Sequence, residues 1–290
     1  MDTIRTLFMG SPDFAVPTLK ALCASQRYDV VGVCTQPDKP KGRSRMLMPP
    51  PVKEAALGLG LPVFQPATLR SGEFACLLAE WAPDLIVVAA YGKILPKNVL
   101  DFPLYGCINV HASLLPACRG ADPIRRVLLD GCPETGVTIM KMNEGCDTGD
   151  ILHAERLPVT DSDTCGTLTD RLAQLGAAAL MPVLDGYTKG EIVPVPQDDA
   201  LATAAPKLAY EETVVDFSRT AAEISRLVRA CMPAPVAETA LNGQRLKLTA
   251  VRPAPMPRRI FRPMRRTARS SPSKKDCSSN APTARSSWLS

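Results

Sequence analysis

Residues 84–90 read DLIVVAA. Six apolar residues follow one acid without a polar interruption, so neither face of this segment is meant for water. The run is too short for a helix and ends in small residues. It therefore predicts a central strand of a parallel sheet, covered on both sides. Runs of the same kind lie on either side of it. Upstream are TLFM (6–9), closed by the turn residues 10–13, and DVVGVCT (29–35), with a helix over 15–24 between them. Residues 61–64 form a further short strand after a helical stretch. Downstream are GCINV (106–110), a turn at 119–123, a helix over 123–130, the strand TGVTIMKM (135–142) and helical spacing over 166–184. Repeated strand–helix–strand units predict an open, mostly parallel α/β sheet with helices on both faces. Ligands of such sheets bind at the carboxyl ends of the strands.

The remaining chain divides by composition. Residues 1–190 carry the sheet pattern. Residues 191–206 have no strong period and read as a linker. Residues 207–252 begin a smaller second domain, with a strand near 214–217, a helix near 221–230 and a strand near 246–251. Residues 253–290 form a Ser/Arg/Pro tail that cannot bury enough surface to offset its ordering entropy, so it is expected to be disordered. The net charge of +5 hides an asymmetry. From Arg252 onward there are ten Lys/Arg and one acid, so the preceding body is mildly acidic. A basic tail suits nucleic acid or an anionic surface, or is simply solvated.

Several classes are disfavoured. No run approaches a membrane span of about 20 residues, and the opening MDTIRTLFMG is too short in apolar residues for a secretory signal. A cytoplasmic protein is expected. Ten cysteines include no C-x-x-C pair and there are two histidines, so no metal site and no disulfide framework is expected. The first strand-to-helix turn, MGSPDFAVP, has one glycine, which disfavours a dinucleotide. No phosphate-cradling G-x-x-x-x-G-K-[ST] loop is present.

One histidine stands in GCINVHASLLPACRG (106–120). With a period of two, Asn109 and His111 project to one side of a strand. An amide and an imidazole there can donate jointly to a developing oxyanion. The alternative is a strand-end histidine satisfied by backbone, with Asn109 capping a turn. Asp147, in the loop NEGCDTGD (143–150), is able to reach the preceding strand end and orient the ring, or to serve only as turn chemistry. The loop 37–53 carries Lys39, Lys41, Arg43 and Arg45 with no acid after Asp38, which suits phosphates or plain solvent. Met46, Leu47 and Met48 within it read as anchors.

Taken in order, GSPDFAVPTL, TQPDKPKGR, PPPVK, LPVFQPATLR, VAAYGKILP, GCINVHASLLPACRGADPI and ETGVTIMKMNEGCDTGDIL resemble the methionyl-tRNA formyltransferase family from about residue 4 to 251. The resemblance implies a Rossmann-like catalytic domain and a C-terminal tRNA-binding β-barrel, here incomplete. It implies formyl transfer from 10-formyltetrahydrofolate to initiator methionyl-tRNA, without a metal, by a monomer. Asn109, His111 and Asp147 fall on the family's catalytic triad. Ser113, Leu114, Leu115 and Pro116 fall on its folate-contacting segment. Arg43, with Lys41 and Arg45 beside it, falls where the family places a loop against the tRNA acceptor end.

The chain departs from the family at Ala117-Cys118, usually Arg-Trp, at Asp122, usually Ala, and at Ala234, usually Trp. These departures concern the large substrate more than the folate. The family runs on where the tail begins, and a shifted reading frame would give a tail of this composition. A shortened barrel would expose strand edges and lower stability. Two other readings share the triad or the pocket. One is a formyltransferase acting on phosphoribosylglycinamide or an amino sugar nucleotide. The other is a folate- or RNA-binding module without turnover.

Overall fold

The computed structural model describes residues 3–41 and 46–252, apart from the side chain of Lys41. The expectations for Arg43, Arg45, the Lys41 side chain and the tail 253–290 lie outside the described residues.

The elements run β1 (Ile4–Gly10), α1 (Val16–Ala24), β2 (Tyr28–Cys34), β3 (Lys39–Lys41), β4 (Met46–Met48), α2 (Pro51–Gly58) and β5 (Val63–Phe64). They continue with α3 (Gly72–Trp81), β6 (Leu85–Ala89), α4 (Lys97–Leu100), β7 (Cys107–His111), α5 (Pro123–Asp130), β8 (Glu134–Lys141) and β9 (Ile151–Pro158). After them come α6 (Cys165–Thr188), α7 (Ala221–Ala230), β10 (Ala237–Leu241) and β11 (Gln244–Leu248). Seven strands form one sheet in the order β5-β2-β1-β6-β7-β8-β9. Strands β5 to β7 in that order are parallel, whereas β7–β8 and β8–β9 pair antiparallel.

The run at 84–90 becomes β6, and its two faces enter different cores. Leu85, Val87 and Ala89 pack with Phe8, Leu19 and the α6 residues Leu172, Leu180 and Leu184. Ile86 and Val88 pack on the other side with Leu7, Met9, Phe74, Leu78 and Val99. Both faces are dry, which is why the run has no polar alternation. At β7 the first face continues with Ile108 and Val110. The second face starts apolar at Cys107 and then turns polar at Asn109 and His111. The site is set into the second core.

Two features carried no sequence signal, and one reading needs correction. The strand at 134–141 is antiparallel to β7 within the mostly parallel sheet, and β9 was not anticipated. Four successive β9 residues, His153 to Arg156, are exposed at the sheet edge and carry no apolar alternation. Met46, Leu47 and Met48 do not anchor their loop. They form the outer strand of a two-stranded hairpin with β3 and are exposed, Met46 and Leu47 each at 66%. Residues 191–206, the aperiodic stretch between the two parts, lie against the body. Val195 bridges Ile151 and Ala204 bridges Arg119, which sets the stretch beside β9 and the 117–120 turn.

Beyond it, α7 opens with a capping box in which Thr220 and Glu223 satisfy each other's backbone N–H. The helix packs Val228 and Cys231 with Val215 and Ala237 in a small separate core. The described end of this part is the β10–β11 hairpin.

Candidate active site

The site begins with register. Val88 of β6 and Met140 of β8 flank Asn109, and Thr138 of β8 stands opposite His111. A strand held from both sides fixes the direction of both polar side chains. Asn109 is 8% exposed and His111 is 6% exposed. The His111 Nε2 lies 3.1 Å from the carbonyl of Cys118. A carbonyl only accepts, so Nε2 carries a proton. The Nδ1 lies 3.5 Å from Oδ1 of Asp147, a contact that becomes an ion pair when the ring is doubly protonated. Among the described residues, the Asn109 carboxamide has no hydrogen-bond partner, although the residue is buried. It is an open donor beside an engaged ring.

Asp147 reaches His111 by an unexpected path. Because β8 is antiparallel, it ends beside the start of β7, where the Met142 N–H bonds the Cys107 carbonyl at 2.8 Å. The loop then turns back across the face of β7 to bring Asp147 to the ring at the other end. Several contacts hold it there. The N–H of Gly120 donates to Asp147 Oδ2 at 2.9 Å. Gln197 Nε2 donates to the carbonyls of Asp147 and Gly149 at 2.9 and 2.7 Å. Gly149 permits the turn, since a Cβ there would lie 1.9 Å from the Lys141 carbonyl. Cys118 and Asp147, the two residues that hold the ring, both have left-handed backbone, φ 58° and 53°. Such conformations cost about 1–3 kcal/mol and persist only when surrounding contacts over-determine them.

The Ser113–Pro116 turn is braced from β8. Thr138 Oγ1 donates to the Ser113 carbonyl at 2.7 Å and accepts from the Leu115 N–H at 3.0 Å. Ser113 Oγ donates to the Ala117 carbonyl at 2.7 Å, so its hydroxyl holds the turn closed. Ser113 and Leu115 are buried, while Leu114 and Pro116 are half-buried and remain available to a ligand. At Gly136 of β8 a Cβ would meet the Glu155 carbonyl at 2.1 Å and Leu114 Cδ2 at 2.5 Å, so the bare glycine seats this turn.

Three supporting residues were not foreseen: Thr138, Gln197 and Thr203. Thr203 Oγ1 accepts from the Cys118 N–H at 2.8 Å. Gln197 also accepts from Arg119 at 3.0 and 2.7 Å. Thr203 and Gln197 lie in an aperiodic stretch, which offers no sequence signal. Gly120 was visible as a turn glycine. Its φ of 126° and the Ala205 carbonyl 2.8 Å from where a Cβ would sit show why it is one.

The family departures also find places. Asp122 Oδ2 lies 2.7 Å from Arg125 Nη1 and accepts from the Leu208 N–H at 3.3 Å. Arg125 in turn donates to the carbonyls of Ala230 and Ala234 at 2.8 and 2.9 Å. Asp122 thereby aims an arginine that ties α5 to the small C-terminal part. Ala117 and Cys118 act through their carbonyls, and Ala234 is exposed. Among the described residues no group of three or more metal-ligating side chains gathers, and no helix is long and apolar enough to cross a membrane.

An open amide, a protonated ring nitrogen and a carboxylate, set together into the face of an α/β sheet, can stabilise an oxyanion and relay a proton. This is the equipment of an acyl- or formyl-transfer enzyme. Residues 4–184 match the family model described as formyl transferase, and residues 207–259 match that of the formyl transferase C-terminal domain. A methionyl-tRNA formyltransferase of Ectopseudomonas mendocina is 51% identical over 249 residues, covering 86% of this chain and 79% of that protein. The crystal structure of a 4-N formyltransferase from Francisella tularensis aligns with a TM-score of 0.67 at 15% identity, over 88% of this chain and all of that one. HypX from Aquifex aeolicus in complex with tetrahydrofolic acid aligns with a TM-score of 0.61 at 18% identity, over 85% of this chain and 37% of that one. These two likenesses concern the fold alone. The chain belongs to the formyl transferase family, and within it to the methionyl-tRNA formyltransferases.

Proposed function

We propose that this protein transfers the formyl group of 10-formyltetrahydrofolate to the amine of initiator methionyl-tRNA, in the cytoplasm, for translation initiation. The observation that carries the reading is the cluster of Asn109 and His111 on β7 with Asp147 from the loop after β8, in a chain half identical to methionyl-tRNA formyltransferases.

The neutral methionyl amine attacks the formyl carbon, and the carbonyl pair moves onto oxygen. Asn109 donates to that oxyanion from its open amide. The Nε2–H of His111 joins it as the oxyanion replaces the Cys118 carbonyl as acceptor. The Asn109 amide is already open and the His111 ring is fixed in direction, so the reorganisation is confined to one exchanged hydrogen bond. Asp147 holds the ring through Nδ1 and, through a water, accepts the proton lost by the attacking nitrogen. The intermediate then collapses, the bond to the folate nitrogen breaks, and that nitrogen takes its proton from Nε2 of the doubly protonated His111 ring, which recovers a proton from Asp147. Leu114 and Pro116 face the folate, while Ser113 and Leu115 keep their turn in shape. The basic hairpin and the C-terminal part meet the tRNA.

A formylation assay tests this directly. Methionyl-tRNA should be formylated with 10-formyltetrahydrofolate as donor. Preferential formylation of phosphoribosylglycinamide or an amino sugar nucleotide would move the substrate to a small amine. Folate binding without turnover on any amine would mark a binding module.

A further inference from the structure

Gln197 stands in the aperiodic stretch between the two parts, half-buried, and its side-chain amide is used in full. Nε2 spends both N–H groups on the carbonyls of Asp147 and Gly149, at 2.9 and 2.7 Å. Oε1 spends both lone pairs on Nε and Nη2 of Arg119, at 3.0 and 2.7 Å. Only this orientation of the amide serves. Reversed, it would set an oxygen against two carbonyls and an NH2 against a guanidinium. Arg119 is fixed in turn. Its N–H donates to the Thr203 carbonyl at 2.8 Å, and its carbonyl accepts from the Ala205 N–H at 2.6 Å. It lies between Cys118, whose carbonyl faces His111 Nε2, and Gly120, whose N–H bonds Asp147. One amide therefore grips both segments that flank the His111 ring, one at each nitrogen.

The Asp147 segment depends on that grip. Asp147 has left-handed backbone, which persists only where contacts over-determine it, and Gln197 bonds its own carbonyl. The bonds from the Gly145 N–H and the Thr148 hydroxyl to Asn143 tie the loop to itself and not to the body. The Asp147 carboxylate stands 3.5 Å from Nδ1, already long for a hydrogen bond, so a small outward drift ends the contact. We infer that Gln197 is a positioning residue of the formyl-transfer site. It sets the spacing between the Asp147 carboxylate and the Cys118 carbonyl, and so holds the His111 ring in one direction and one tautomer. The stretch that leads into the C-terminal part thus completes a site mounted on the sheet.

The inference rests on the formyl-transfer reading, and its test separates the two. Steady-state formylation of methionyl-tRNA is measured for the wild type, Gln197→Glu, Gln197→Leu and Asp199→Asn, with melting temperatures alongside. Gln197→Glu keeps the shape and an acceptor for Arg119, but it turns an oxygen on the Asp147 and Gly149 carbonyls. Both Gln197 variants should lower kcat by roughly 10–10²-fold, the scale of a displacement of about 1 Å, while each KM holds within about twofold. Asp199→Asn alters only the exposed partner of Arg119 and should change neither kcat nor KM. The second readout is the ring 15N spectrum of labelled histidine. The chain has two histidines, and His153, paired with Glu155 on β9, serves as the internal control. Both Gln197 variants should move the His111 ring signals towards tautomer exchange and leave those of His153 in place. Undiminished kcat, a rise in KM that accounts for the whole loss, or His111 signals identical to the wild type overturns the inference. A wild type that does not formylate methionyl-tRNA overturns the functional reading instead, and the ring signals still decide what Gln197 holds.

Discussion

β7 and the β10–β11 hairpin are both five-residue-strand structures in one chain, yet they are held in opposite ways. β7 lies between β6 and β8, with Ile108 and Val110 sealed in the larger core. Among the described residues β10 and β11 pair in a two-stranded sheet, and most of β11 is exposed. Their core is Val215, Val228, Cys231 and Ala237 with a few half-buried neighbours. The chemistry is thus mounted on a strand paired on both sides, and the described residues of the part matching the C-terminal domain rest on a two-stranded hairpin and a small core. Arginines join the two. Arg125 reaches Ala230 and Ala234, Arg229 donates to the Asp163 carbonyl at 2.8 Å, and Arg126 pairs with Glu212 at 2.6 Å.

The comparison breaks most sharply at the site. His111→Ala should lower kcat/KM for formylation by more than about 10³-fold, because it removes both an oxyanion donor and the proton relay. Asn109→Ala should cost roughly 10²–10³-fold, the usual loss for one oxyanion donor. Neither should shift the melting temperature much, and near-normal formylation by either variant would remove it from the catalytic group. Next come the cores. Leu172→Ala empties part of the large core and should cost about 2–5 kcal/mol in denaturant unfolding. Val228→Ala in the small core should cost less and should chiefly loosen α7, which amide exchange of α7 against α6 would resolve. If the two substitutions unfold the chain alike, the division drawn above is wrong.

The smallest effect concerns the joint. The Arg126 guanidinium and the Ala209 N–H hold the Glu212 carboxyl down at about 2. Its folded value lies below the unfolded one. Its contribution is therefore full above the ordinary glutamate range, near 4.3, and disappears as pH falls towards 2. Glu212 is partly exposed, so the effect is modest. Glu212→Gln should lower the melting temperature slightly at pH 7 and flatten its acid decline below about pH 4. An unchanged acid slope would show that this pair does not hold the joint.

Much of this was legible in the sequence because it depends on local pattern. The run at 84–90 could only be a doubly covered strand, and the spacing of Asn109 and His111 placed them on one side of another. The helix near 221–230 was legible as well, since it follows from a local pattern. Other features have no local signature. The exposure of Met46 and Leu47 was missed because an apolar triplet ordinarily packs, and only the surroundings show that among the described residues it is left uncovered. Gln197 and Thr203 stand in a stretch without period, and their role comes from what the 117–120 turn and the Asp147 loop bring against them.

The amino-acid sequence alone determined the central strands of the sheet, the polar pair on β7 and the family motifs, since each follows from side-chain period or residue type within a short window. The tertiary structure decided which way β8 runs, and so how Asp147 returns to His111. It also decided which carbonyl holds the ring and how Gln197 and Gly120 hold the Asp147 loop. Those contacts join residues such as Gln197 and Gly149, or Gly120 and Asp147, that lie on separate segments. Pairings of that kind are set by packing and by the need to satisfy buried polar groups, and no local pattern encodes them.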